Sequence, residues 1–139
     1  MGLFDRMKRT ARPSVPLAVT GTVRRWLVAN EYHPGAYKAT RPGETVTVEF
    51  VAERDNEYDV NAVAAHLGPQ VAGYLGHGPA AKYRPVIQQA NALGYRVSAS
   101  GVVETVDGSR SVRLSLPTPE ALAAWLALPD DQRADGFPA

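Results

Sequence analysis

The stretch ERDNEYDVNA, residues 53–62, joins two apolar alternating segments, residues 46–51 before it and residues 63–67 after it. Alternation with a period of two is typical of a half-buried β-strand, so a hairpin-like pair is predicted. A turn needs only Asp, Asn or Gly at the bend, whereas this connection also holds a tyrosine between Glu57 and Asp59. Polar chemistry beyond the needs of a turn indicates a second role for this stretch.

The same alternation recurs along the chain. Six strands are predicted, at residues 17–28, 44–52, 62–67, 70–75, 95–106 and 109–116. Gly21 is expected to bend the first strand, and residues 30–43, which are rich in turn formers, are expected to form a loop. Gly68-Pro69 and Asp107-Gly108 mark the turns of two hairpins.

Two helices are expected beside these strands. Pro79 is placed as the first residue of a helix that ends at Gly94. Pro85 lies inside it, where its missing amide and its ring predict a kink or a separate leading turn. A short helix with Thr118 as its cap is predicted for residues 119–128. Short strands without strand-helix-strand alternation indicate a mainly β protein, a closed or nearly closed six-stranded antiparallel barrel with one inserted and one C-terminal helix.

The length of 139 residues indicates one domain with tails. We predict a mobile basic arm or solubilising tail over residues 1–14, the barrel over 15–116, and a helix with a frayed acidic tail over 117–139. The arm has four basic residues and one acid, and the tail has four acids and one arginine. The formal charge of +1 gives no field that would attract nucleic acid to the whole protein, so such binding needs a local patch.

Several classes of function are disfavoured by composition. Cysteine is absent, which excludes disulfides, thiolate zinc sites and cysteine nucleophiles. The first ten residues lack the apolar region of a signal peptide, and no apolar run approaches the roughly 18 residues of a membrane span, so a cytoplasmic protein without membrane contact is expected. Phosphate-loop and GxSxG motifs are also absent, so we expect no enzymatic activity and no cofactor.

Two patterns resemble metal sites without completing them. Acids and amides alternate over residues 55–61 as in a calcium-binding loop, but Val60 and His66 stand where that loop needs glycine and glutamate. The three histidines lie in different predicted elements without helical spacing: His33, His66 and His77. No metal site is therefore predicted.

Aromatic and basic residues form a third pattern. Tyr32 and His33 in one loop and Tyr58 in the next provide a platform on which bases stack. Phosphate contacts around this platform would come from Lys38, Arg41, Lys82 and Arg84. Simpler roles stay open: Tyr58 caps the barrel, or Asp59 and Asn61 accept hydrogen bonds from the turn's own amides.

The motif over residues 53–63, followed by VAGYL at residues 71–75 and an alanine-containing helix, resembles the HIRAN domain family. The upstream YHPG, residues 32–35, fits that family's Tyr-x-x-Gly loop, and the similarity covers roughly residues 19–106. The resemblance implies an OB-like barrel that acts as a non-enzymatic module and binds the 3′ end of single-stranded DNA. Expected partners are single-stranded DNA 3′ ends and DNA repair or helicase proteins, with the oligomeric state left open.

The resemblance also implies roles for single residues. Tyr58 would stack on the terminal base, Tyr32 would stack on or flank the next base, and Asp59 would accept a hydrogen bond from the terminal 3′-hydroxyl. A carboxylate repels phosphate, so Asp59 would distinguish a free 3′-hydroxyl from a blocked end. Asn61 and Asp55 are assigned to building the turn. The complete predicted DNA-binding set is Tyr32, His33, Tyr58, Asp59, His77, Lys82 and Arg84.

An alternative follows from the acidity of the same stretch. Asp55 stands where the family often has asparagine, and its charge beside a DNA pocket weakens binding. The alternative is a protein-interaction module that has lost DNA-end binding. In that case Tyr32, Tyr37 and Trp125 would hold a partner, and the acidic C-terminal helix would lie over the groove.

Overall fold

The computed structural model describes residues 14–138, so almost all of the predicted basic arm lies outside the described residues. Within that range seven strands form one sheet. They are β1 (Val15–Val19), β2 (Val23–Trp26), β3 (Thr45–Ala52), β4 (Val63–Leu67), β5 (Gln70–Tyr74), β6 (Tyr95–Val106) and β7 (Ser109–Leu116). The α-helices are α1 (His77–Ala92) and α2 (Pro119–Leu126), and the short 3-10 turns are Asn30–Tyr32, Pro34–Tyr37 and Asp130–Gln132.

Six of the strands follow one antiparallel path in the order β2, β7, β6, β3, β4, β5. The two ends of this path meet beyond β2, where Val28 exchanges two backbone hydrogen bonds with Tyr74 of β5, of 2.8 and 2.9 Å. α1 is inserted between β5 and β6, and α2 follows β7. The predicted mainly β, OB-like architecture of six strands, one inserted helix and a short C-terminal helix is confirmed.

The long strand predicted over residues 17–28 is divided in two. β1 pairs with β6 in parallel, whereas β2 pairs with β7 in the antiparallel sense. Gly21 lies at the break, where a Cβ would come within 2.3 Å of the Leu116 carbonyl oxygen, so a glycine is needed for the chain to pass. The bend expected at Gly21 is therefore a complete change of partner strand.

The inward-facing residues of the alternating strands form the core. They include Val48, Phe50, Val63, Val97, Ala99, Val103, Val112 and Leu114. α1 packs on this core with residues spaced three and four apart, which form one face of a helix: Ala80, Tyr83, Val86, Ile87 and Ala90. Pro85 is exposed within α1, and the helix runs without interruption from His77 to Ala92. The separate leading turn predicted from Pro85 is not formed.

The C-terminal segment packs closely where fraying was predicted. Thr118 caps α2 as expected, because its Oγ1 accepts a hydrogen bond of 3.0 Å from the Ala121 amide. The Trp125 ring lies 5.8 Å from the Phe137 ring, and the buried Arg133 guanidinium stacks 5.9 Å from the Trp125 ring. The expectation of a frayed tail is therefore wrong for the described residues. Among residues 14–138, no helix has the length and apolar character needed to cross a membrane.

Candidate functional site

One open groove collects five of the seven residues predicted to bind DNA. Its volume is about 850 Å³. The five residues are Tyr32, His33, Tyr58, Asp59 and His77. They come from three separate places: the 3-10 turns after β2, the connection between β3 and β4, and the first turn of α1. We call this cavity the main groove.

The loop that holds Tyr32 is tied to the barrel by buried and half-buried polar contacts. Tyr37 is buried, and its hydroxyl donates a hydrogen bond of 2.8 Å to the Ala72 carbonyl on β5. Burial raises the pKa of Tyr37 to about 12. Arg110 Nη1 donates to the carbonyls of Tyr37 and Thr40 at 2.8 and 2.7 Å. The loop backbone is thus fixed, while Tyr32 at the groove is 77% exposed.

The connection between β3 and β4 is shaped by Asn56. Its Oδ1 accepts hydrogen bonds from the backbone amides of Tyr58 and Asp59, at 2.9 and 3.0 Å. Its Nδ2 donates to Glu53 Oε1 at 3.0 Å. The prediction that Asn61 and Asp55 build this turn is wrong, because the side-chain oxygens that accept the turn's amides belong to Asn56 and Asp59. The turn leaves Tyr58 91% exposed, so Tyr58 does not cap the barrel.

Asp59 is held from two sides. Its Oδ1 accepts a hydrogen bond of 2.8 Å from the Asn61 amide, and its Oδ2 lies 3.1 Å from His77 Nδ1. The amide of Asn61, followed by His77, lowers the pKa of Asp59 below its usual value. Because an ionised carboxylate only accepts hydrogen bonds, Nδ1 of His77 carries the hydrogen in this pair. Asp59 therefore has both a role in the turn and an anionic oxygen at the groove.

Tyr74 also lines the main groove, although no role was predicted for it there. Its hydroxyl donates to Glu53 Oε2 at 3.2 Å, and its ring centroid lies 6.1 Å from that of His33. Burial, with the neighbouring Glu53, raises the pKa of Tyr74. The preceding Gly73 allows β5 to approach the backbone at Val28 closely, since a Cβ there would lie 2.9 Å from the Val28 carbonyl oxygen. The VAGYL motif includes Tyr74, but strand alternation alone does not indicate that its side chain lines a groove.

The structure does not bring Lys82 and Arg84 to the wall of the main groove. Arg84 Nη1 donates a hydrogen bond of 2.7 Å to the Ala62 carbonyl, at the end of the connection between β3 and β4. Its charge also contributes to the lowered pKa of Asp59. Lys82 is exposed on α1. The described residues that line the main groove thus include His33 and His77 but no lysine or arginine.

A second groove adjoins the first. Its volume is about 740 Å³, and it shares Asn56, Tyr58 and Tyr74 with the main groove. The charged residues that line it are three acids and one base: Glu53, Asp55, Glu57 and Arg54. We call it the acidic groove. Tyr58 therefore stands between two cavities of different charge.

Other predicted contacts lie away from both grooves. Tyr37 and Trp125 are 3% and 6% exposed, so the expectation that they would hold a partner is wrong. α2 packs against α1, not over the main groove as expected. Among residues 14–138, no three His, Asp or Glu side chains come together as a metal site. His33 and His77 line the main groove, whereas His66 lies on β4 beside Glu49 of β3.

Comparison with known proteins places this geometry in a fold. No protein-family model matches the chain, and no curated protein matches it significantly. Among solved structures, the HIRAN domain of human HLTF matches with a TM-score of 0.51 and 18% identity, over 84% of this chain and 90% of that chain. The chain has a HIRAN-like fold. A protein from Lactobacillus plantarum is also similar, with a TM-score of 0.49 and 21% identity over 70% of this chain and 95% of that one.

The groove of this HIRAN-like domain combines three kinds of chemistry. Tyr32 and Tyr58 present exposed aromatic rings suited to stacking on a flat ligand. Asp59 presents an ionised oxygen suited to accepting a hydroxyl or amine hydrogen. His77, whose Nδ1 lies 3.1 Å from Oδ2 of that carboxylate, adds a ring nitrogen that donates a hydrogen bond at the groove. This combination suits a ligand with a flat ring and a nearby hydroxyl group.

Proposed function

We propose that the HIRAN-like domain is a non-enzymatic module that binds single-stranded nucleic acid and captures the free 3′-hydroxyl end of single-stranded DNA in the main groove. The supporting observation is that Tyr32, Tyr58 and Asp59 reach one open groove from two separate loops. Both tyrosine rings are exposed while the backbone beneath each is held by hydrogen bonds. Such a preformed platform reduces the ordering that a ligand must impose.

The two tyrosines would supply most of the affinity. Stacking of a base on an aromatic side chain contributes about 1 to 3 kcal/mol and tolerates every base, because each base has a flat face. Tyr58 would stack on the terminal base and Tyr32 on the base before it. The domain is therefore expected to show little preference among base sequences.

Asp59 would supply selectivity for the end of the strand. The Asn61 amide fixes the carboxylate through Oδ1. Oδ2 has a second lone pair beside the His77 contact, so it can accept a hydrogen bond from a 3′-hydroxyl without displacing His77. A 3′-phosphate at the same place offers negative charge to an ionised carboxylate and is repelled.

Phosphate contacts are expected to be few. Arg84 is bonded to the Ala62 carbonyl and Lys82 lies outside the groove, which leaves His77 and His33 for the strand. The dependence of affinity on salt grows with the number of phosphates that cations neutralise. We therefore expect a shallow salt dependence and moderate affinity. Recruitment by DNA repair or helicase proteins would raise the local concentration of strand ends.

Fluorescence anisotropy with short 5′-labelled oligothymidines tests this function. At about 50 mM salt, where phosphate contacts are strong, the 3′-hydroxyl oligonucleotide should bind tighter than its 3′-phosphate counterpart. Asp59→Asn keeps the side-chain shape and removes its charge, so it should reduce the difference in affinity between the 3′-hydroxyl and 3′-phosphate oligonucleotides. Equal affinity of the natural protein for both ends, or no binding of either, would reject end recognition.

The acidic groove favours a second candidate, a protein-interaction module that has lost DNA-end binding. Its three carboxylates beside Tyr58 weaken the binding of any polyanion. The same groove suits a basic peptide with an aromatic or aliphatic anchor. Failure of a correctly folded protein to bind either oligonucleotide, together with binding of a lysine-rich peptide that is lost in Tyr58→Ala, would support this candidate.

A further inference from the structure

The boundary between the two grooves is formed by residues that belong to both. Asn56, Tyr58 and Tyr74 line each cavity, and Tyr58 is the most exposed of the three. Asp59, the next residue, lines only the main groove. A strand whose 3′-hydroxyl lies at Asp59 with its last base on Tyr58 therefore has the acidic groove directly beyond its end.

We propose that the acidic groove is a selectivity element that rejects any strand continuing past the 3′-hydroxyl. This inference rests on the proposed function and extends it from Asp59 to the residues on the far side of Tyr58. A free end stops at Tyr58 and places no charge in the acidic groove. A 3′-phosphate, or the next phosphodiester of an uninterrupted strand, must place its negative charge beside Glu53, Asp55 and Glu57.

None of the three acids of this groove forms an ion pair with a basic side chain among residues 14–138. Glu53 is anchored by Asn56 Nδ2 at 3.0 Å and by the Tyr74 hydroxyl at 3.2 Å, and both of these donors are neutral. Asp55 and Glu57 are exposed, and neither forms an ion pair within residues 14–138. Arg54 is the one basic residue that lines the groove in the described chain. Three carboxylates against one guanidinium leave the cavity negative.

The expected size of the effect follows from Coulomb's law. Two unit charges about 8 Å apart in water change an equilibrium by roughly twofold. Removal of the two exposed carboxylates should therefore change the affinity for a continuing strand by about fourfold. The effect should be largest at low ionic strength, because the screening length is about 30 Å at 0.01 M salt and about 8 Å at 0.15 M.

The decisive variant is Asp55→Asn with Glu57→Gln, which leaves the anchored Glu53 in place. The matched control is Glu120→Gln with Asp131→Asn, which removes two exposed carboxylates that line neither groove. Affinities are measured by anisotropy for a 3′-hydroxyl oligothymidine and its 3′-phosphate form, and by competition for a closed circular oligothymidine. Each is measured at about 20 mM and about 200 mM salt to vary the screening.

The groove variant should bind the 3′-phosphate and circular oligonucleotides about fourfold tighter relative to the 3′-hydroxyl form, and the gain should shrink at the higher salt. The control variant should keep the ratios of the natural protein. Unchanged ratios in the groove variant, with end preference intact in the natural protein, would overturn this inference alone. Absence of end preference in the natural protein would overturn the proposed function and this inference together.

Discussion

Replacement of Tyr58 by alanine is expected to separate binding from folding. Tyr58 is 91% exposed. Since a packed tyrosine buries about 200 Å², roughly 20 Å² of this side chain is removed from water in the folded domain. At about 25 cal/mol per Å², the loss in free energy of unfolding is about 0.5 kcal/mol. For a domain of this size the melting temperature should fall by only about 2 °C.

Binding should respond much more strongly to the same change. Loss of one stacked base costs about 1 to 3 kcal/mol, which corresponds to a 5- to 160-fold weaker affinity for the 3′-hydroxyl oligonucleotide. Anisotropy titration measures the affinity, and thermal unfolding followed by circular dichroism measures the stability. Both measurements use the same preparation of the variant.

Tyr83→Phe provides the opposite control. Tyr83 is buried and does not line the main groove, and its hydroxyl donates a hydrogen bond of 2.7 Å to the Pro117 carbonyl. Its loss should cost about 1 to 3 kcal/mol of stability and leave binding unchanged. The reasoning would be refuted by a Tyr58→Ala protein that binds like the natural one, or by one that melts more than about 5 °C lower.

Three further changes test the groove's construction. Gly73→Ala should destabilise the domain by about 1 to 3 kcal/mol, because its Cβ would meet backbone atoms, whereas Gly78→Ala has open space around its Cβ and should be close to neutral in urea unfolding. Arg84→Gln should lower the free energy of unfolding in urea by about 1 to 2 kcal/mol, through loss of its bond to the Ala62 carbonyl. The turn's backbone amide lowers the pKa of Asp59 from 3.8, so the ionised form stabilises the fold above that pH and this contribution is lost as the pH falls below it. Asp59→Asn should therefore flatten the fall of melting temperature in acid; an unchanged profile would contradict the hydrogen-bonded geometry.

The strands could be predicted from the sequence because their signals are local. Alternation over β3, β6 and β7 and the turn residues Gly68-Pro69 and Asp107-Gly108 lie where the structure has strands and turns. The change of partner at Gly21 could not be predicted in the same way. A glycine within an alternating segment signals a bend, but which strand lies on either side depends on contacts distant in sequence.

Convergence of the loops was anticipated through a motif resemblance, and the structure adds the detailed hydrogen bonding. Asn56, Asp55 and Asn61 are all turn formers, and their order in the sequence does not tell which side chain reaches two amides. Arg84 shows a related limit. A basic residue on a helix near a polar loop suggests a phosphate contact, yet Arg84 does not line the main groove, and its Nη1 is bonded to the Ala62 carbonyl, which also accepts the Glu53 amide.

The packing of the C-terminal tail could not be predicted from the sequence either. An acidic, proline-containing end is typical of a frayed segment, but Arg133 and Phe137 are close to the Trp125 ring. Cation–π and ring–ring contacts across a turn have no fixed spacing in sequence. Such packing is visible only once the partner ring has been placed by the rest of the fold.

The paired hydrogen bonds between Val28 and Tyr74 provide a way to detect ligand binding in the main groove by hydrogen exchange. Both residues line the main groove, and the same two bonds join the ends of the strand path. A ligand that binds only while these two hydrogen bonds are formed stabilises the hydrogen-bonded state by RT ln(1 + [L]/Kd). Exchange of these two amide hydrogens with deuterium should then slow by the factor 1 + [L]/Kd, so label-free exchange measurements can rank unknown ligands without any assay of function.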